Sequence, residues 1–149
     1  MREIMYNGVQ MTCETYDDAV ALRAYAFRHF PHLLTALERR VTEYSAPIVS
    51  NSEHWKIQRL YKYLEERDGH VADETLLAAL ELPYDDRKRH TLDRLIAENR
   101  DQMIENRCPA CTRLARTPLA RQCLWCGHDW HRSNTTNLDE PDDARESPI

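Results

Sequence analysis

A chain of 149 residues, 42% hydrophobic and 30% charged, suits one compact domain with a small appendage. Every apolar run is broken by charge within a few residues and the N-terminus lacks a secretory-type apolar stretch, so a soluble, cytoplasmic protein with no membrane partner is expected. Only three glycines occur, which excludes a glycine-rich phosphate loop, and the abundance of Leu, Ala, Glu and Arg points to an all-α body.

The net charge of -5 is segregated along the chain. Residues 1–86 carry nine Lys/Arg against fifteen Asp/Glu, residues 87–132 ten against five, and residues 133–149 one against five. The middle segment is therefore modestly basic between two acidic ones.

In chain order, the sequence leaves open whether Met1–Thr12 pairs as a strand. Cys13 reads as a small apolar packing residue, the usual fate of an isolated intracellular cysteine. Thr15 followed by Asp17 and Asp18 predicts a helix start, with a capping oxygen and acid in the first turn. Val20, Ala24, Phe27 and Phe30 follow at helical spacing, and Pro31 ends, kinks or reopens that helix. Leu33, Leu34, Leu37, Val41 and Tyr44 form the next stripe, running out before Pro47. Ser52 is the expected cap of a helix whose Ile57, Leu60, Tyr61 and Leu64 lie at i, i+3, i+4 and i+7. Gly69 stands where a helix end favours a left-handed residue. Asp73 is expected to cap a short helix bearing Leu76, Leu77 and Leu80, stopped by Pro83. A longer helix then begins near Asp85 or Asp86, with Leu92, Leu95, Ile96, Met103 and Ile104 facing inward. No internal repeat is visible, and the nearly apolar-free stretch from Ser133 onward is expected to be a disordered acidic tail.

The chemistry lies in Cys108-Pro-Ala-Cys111 and Cys123-Leu-Trp-Cys126-Gly-His. Four of the five cysteines thus fall in two Cys-x-x-Cys pairs within nineteen residues. Sulfurs three residues apart share one tetrahedral ion when the backbone turns tightly between them, and Gly127 follows the second pair where a left-handed residue helps that turn. Thr112 takes the equivalent place after the first pair. The stretch between the pairs is too poor in apolar side chains to fold unaided, so Zn2+ bound by Cys108, Cys111, Cys123 and Cys126 is expected to supply the missing stability. Iron is an alternative occupant of the same ligands. With four thiolates closing the site, His128 and His131 are expected at its edge, packed with Trp125 and Trp130.

This segment resembles the zinc-ribbon family, with Cys-Pro-x-Cys and Cys-x-x-Cys-Gly as its two knuckles. The flanks Leu114-Ala-Arg-Thr-Pro118 and Gly127-His-Asp-Trp-His131 look like a ribbon found in uncharacterised bacterial proteins. The resemblance implies metal binding, and either nucleic-acid binding, protein binding or bracing of a fold. Residues 57–100, read as three consecutive helices, resemble helix-turn-helix and winged-helix domains, in which the last helix enters the major groove.

The expected organisation is an N-terminal segment (1–11), a helical domain (12–106), a zinc ribbon (107–132) and the tail (133–149). No nucleophile-and-base motif or metalloprotease motif occurs, so an enzyme and a small-molecule substrate are not expected. The charge segregation points to a regulatory or accessory protein that contacts nucleic acid through Arg87, Lys88, Arg89 and Arg94 on the last helix and Arg113, Arg116 and Arg121 on the ribbon. The alternative is a protein-binding module, such as an adaptor, a phage-encoded inhibitor or an immunity protein, with a purely structural zinc.

Overall fold

Asn7 and Gly8 adopt φ of +47° and +87°, the two left-handed positions of a tight hairpin turn. Strands β1 (Ile4–Tyr6) and β2 (Val9–Met11) therefore pair antiparallel, with Ile4 opposite Met11 and Tyr6 opposite Val9. Residues 4–11 of the N-terminal segment thus form a β-hairpin. The chain, seen in a computed structural model, is described over residues 4–131; the expected acidic tail lies outside the described residues.

Five α-helices follow among the described residues, so the body is mostly helical, as expected, with the two-stranded hairpin added to it. Helix α1 (Asp18–His29) is capped by Asp17, whose carboxylate accepts from the Val20 N–H, while Thr15 is instead bonded to Thr12. Pro31 opens a 3-10 turn (Pro31–Leu33) that leads into α2 (Ala36–Glu43). A reciprocal capping box between Thr35 and Glu38 starts α2. Helix α3 (Trp55–Asp68) is capped by His54 rather than Ser52, whose hydroxyl accepts from the His54 N–H. It ends at Gly69 with φ +93°. Helix α4 (Asp73–Ala79) starts after Ala72, because the Asp73 carboxylate is taken up by the backbone N–H and hydroxyl of Ser50. Pro83 precedes α5 (Tyr84–Glu98).

Two apolar clusters hold these elements. The larger joins Tyr6 and Met11 of the hairpin, Ala21, Leu22, Tyr25 and Ala26 of α1, and Leu95 of α5 to Cys108, Leu114, Cys123 and Trp125. A continuous core thus crosses from the helical part into the cysteine-bearing segment. The smaller gathers Val41, Val71 and Leu76 from α2, the α3–α4 connection and α4. Helix α5 packs on α1 and α2, and α4 packs on α2. The α3, α4, α5 order is present, but no β-strand follows α5 among the described residues to form a wing.

Three expected inward residues face solvent. Ile104 is 67% exposed, Leu77 is 50% exposed, and Cys13 is exposed with its thiol donating to the Trp125 carbonyl. Helix α4 is short enough that one turn of leucines cannot all reach the small cluster. Ile104 lies beyond α5, where helical spacing no longer applies.

Candidate metal centre

Each cysteine pair is built by the same local hydrogen bonds. In the first, the Thr112 N–H donates to the Cys108 carbonyl at 2.9 Å and the Cys108 N–H to the Arg113 carbonyl at 2.9 Å. In the second, the Gly127 N–H donates to Cys123 at 3.0 Å and the Cys123 N–H to His128 at 2.7 Å. The outer bonds correspond too, Ala115 N–H to Asn106 and Trp130 N–H to Arg121. Single antiparallel bridges flank both turns, Arg107 with Leu114 and Gln122 with Asp129. The backbone repeats where no sequence repeat is visible, because the repeated features are main-chain bonds and two sulfurs. Thr112 takes φ +60°, matching Gly127 at +75°, so the threonine accepts the left-handed position despite its branched side chain.

The two turns face one another and bring all four sulfurs within 4.8 Å of each other. Cys108 and Cys126 Sγ are 3.7 Å apart, and Cys111 and Cys123 Sγ 3.6 Å. Thiolates about 2.3 Å from a tetrahedral ion sit about 3.8 Å from one another, whereas a disulfide needs about 2.05 Å. The spacing therefore fits metal coordination and not cross-linking. Cys108 and Cys123 are buried and Cys126 is exposed.

Acidity within the cluster is uneven without an ion. Burial pushes the Cys108 thiol up, but backbone N–H groups of Cys111 and Ala110 and the neighbouring thiols outweigh it, bringing that thiol down to about 7. Burial raises Cys111 to about 12 and also raises Cys123. Four negative sulfurs this close need a cation among them to ionise together.

The centre is welded to the rest of the chain by aromatic and polar contacts. Tyr6 Oη donates to the Ala115 carbonyl at 2.6 Å, and Tyr25 Oη to Ile104 at 2.8 Å. Trp125 lies against Tyr6 and Tyr16 and donates its indole N–H to Leu114. Arg107 bridges to Asp18 at 2.7 Å, and this guanidinium holds the Asp18 carboxyl below its ordinary range. Asn106 donates through Nδ2 to both Thr117 and Ala120, pinning the loop between the turns. Nothing in the sequence distinguishes Asn106 from an ordinary loop amide. His128 stacks on Trp130 and His131 bonds to Asp129; neither belongs to the sulfur cluster.

The expected nucleic-acid contacts divide. Arg87 is 6% exposed and donates to the carbonyls of Val41, Leu82, Tyr44 and Ser45, so it is withdrawn from any surface role. Arg94 is clamped by Glu38 and Glu98, and Arg89 pairs with Asp86. Lys88 Nζ lies 4.1 Å from the Phe27 ring centre. Arg113 rests on Tyr16 and Trp125 and donates to the Cys13 carbonyl. Only Arg116 and Arg121 of the set are exposed without an ion pair among the described residues, and both line one shallow cavity of about 560 Å3 with Gln122 and His131. Among the described residues of this segment, 87–131, most basic side chains are thus engaged within the molecule. Comparison with family models, curated proteins and solved structures finds no match.

Proposed function

We propose that Cys108, Cys111, Cys123 and Cys126 hold one zinc ion, and that this ion is structural in a non-enzymatic regulatory or accessory protein. The observation that carries the reading is the sulfur geometry: two equivalent turns aim four cysteines at one point, at the separations a tetrahedral ion sets. Four thiolates leave the ion no open position for water, so it has no Lewis-acid task. Its task is to fold residues 107–131 against the hairpin and α1. Spectroscopy of a cobalt-substituted sample tests the ligand set. Tetrahedral thiolate bands that weaken in C108S and C123S support it, and bands unchanged in both variants contradict it.

In this reading the accessory role is contact with nucleic acid, carried by Arg116 and Arg121 on the metal-bearing surface. Their support is their exposure, their freedom from ion pairs among the described residues and their shared cavity. The expected result is salt-dependent binding of the zinc-loaded protein to random duplex DNA, with the salt slope reduced by about one for each arginine replaced by glutamine. No association at low salt contradicts it. A protein partner is the second reading, favoured by Leu119, which is 88% exposed at the loop between the two turns. A stoichiometric partner that survives nuclease and is lost in L119E distinguishes it.

A further inference from the structure

The outward face of α3 is unusual for a helix that buries only Leu64 completely. Trp55 is 62% exposed and Tyr63 is 55% exposed, although residues of this kind normally cover an apolar surface. They lie eight residues apart, about 12 Å along the axis, and within a quarter-turn of each other around it. Arg59 and Lys62 project between them and Lys56 beside them, all three exposed. None of these cations enters an ion pair among the described residues. This contrasts with the basic residues of α5, nearly all of which are occupied.

Trp55 is also held in place. His54 caps the helix by accepting the Lys56 N–H at its Nδ1, and this fixes its ring nearly parallel to the indole, 12° between planes with centres 6.5 Å apart. The Lys56 ammonium lies 5.6 Å from the indole centre. Two exposed carboxylates flank this stretch, Glu53 two residues before Trp55 and Glu66 a turn beyond Lys62.

From this arrangement we infer that the outer face of α3 binds single-stranded nucleic acid, with bases stacking on Trp55 and Tyr63 and phosphates meeting Arg59 and Lys62. The chemistry selects this occupant. The face has no exposed aliphatic side chain to enter a bilayer or the groove of a partner protein; it carries flat rings and cations, with the Glu66 carboxylate at its far end. Ring faces are of use to bases that are free to stack, and duplex bases are not. The site is separate from the cavity at Arg116 and Arg121, so either assignment can fail without the other.

The test titrates the zinc-loaded full chain with a fluorescein-labelled oligothymidylate, reading anisotropy and tryptophan emission. Expected are binding that weakens with salt, quenching that is absent in W55A, and affinity about ten-fold lower in both W55A and Y63A. W55F should recover most of the loss, and quenching of Trp55 should persist when the titration is repeated in R116Q/R121Q protein, where phosphate contacts at the other surface no longer contribute. Because both rings are exposed, the variants should keep the parent's circular dichroism and melting temperature. Parent-like oligothymidylate binding by the folded W55A/Y63A double variant overturns the inference. So does equal competition by polyglutamate or by phosphatidylglycerol vesicles, which would reduce the face to a general anion attractor.

Discussion

The two ends of the molecule solve one problem with different side chains. Both contain loop segments whose carbonyls are shielded from water and need donors. At the cysteine-cluster end, ring hydroxyls and an indole supply them: Tyr6 to Ala115, Tyr25 to Ile104 and Trp125 to Leu114. At the α2–α4 end arginines do so: Arg87 reaches four carbonyls, and Arg40, 2% exposed, reaches Gly69. The cysteine-cluster end shares a broad aromatic core with the hairpin and α1, whereas the other end has the small cluster around Val41. Its remaining ties are ionic. Arg39 and Arg67 converge on Asp68, whose side chain is fully buried; burial raises that carboxyl, but the two guanidinium groups outweigh it and hold it below its ordinary range. One end is organised by sulfur and aromatic packing, the other by guanidinium groups.

Removing the metal should break the comparison most severely. On the proposal that the cysteine cluster holds zinc, chelation should accelerate hydrogen exchange first in residues 107–131 and in the hairpin they hold, and later in α2 and α4. The expected loss is several kcal/mol, since structural zinc commonly contributes about 10 kcal/mol or more in small modules. Lowering the pH should act in the same direction, because protons compete with the ion for the thiolates; affinity falls as pH falls. Uniform exchange across both ends after chelation would show that they are not distinct.

At the opposite end, R87M should cost about 3–4 kcal/mol in the urea midpoint, because four carbonyls lose a buried donor together. An exposed phosphate-binding arginine would cost close to nothing, so this variant separates the two roles of Arg87. Y6F removes one hydroxyl and leaves the Ala115 carbonyl without its partner, an expected cost of about 1–2 kcal/mol in the same measurement. The smallest effect belongs to T112G. Relief of the left-handed strain should stabilise the first turn by about 0.5–1 kcal/mol, bringing it to parity with the Gly127 turn. A destabilised T112G would mean that the threonine side chain contributes something beyond its backbone position.

What could be read beforehand follows the range of the interactions involved. The cysteine pairs, the Gly69 helix end, the Pro31 and Pro83 breaks and the Leu92–Leu95 face are local features, and local spacing reveals them. The hairpin was within reach, since Asn7-Gly8 between apolar residues is a turn signal in its own right. Arg87 was not. A basic run at a helix start reads as solvated or phosphate-facing, and only the fold reveals that carbonyls at the end of α2, just after it and before α5 converge on this side chain. The repeat of the two turns was equally hidden, because Thr112 stands for Gly127 and the shared features are backbone bonds. Trp55 and Tyr63 illustrate the opposite case: aromatic residues on a helix read as core, and here they face outward.

The central claim is that one ion, gripped by four sulfurs, organises the C-terminal part of the described chain. Elemental analysis of natively purified protein, combined with mercurial titration of its thiols, tests it directly. The account predicts one zinc per chain, released in step with modification of four cysteines and lost in C108S and C123S. Protein that is folded and free of metal, or metal retained after those cysteines are replaced, would contradict it.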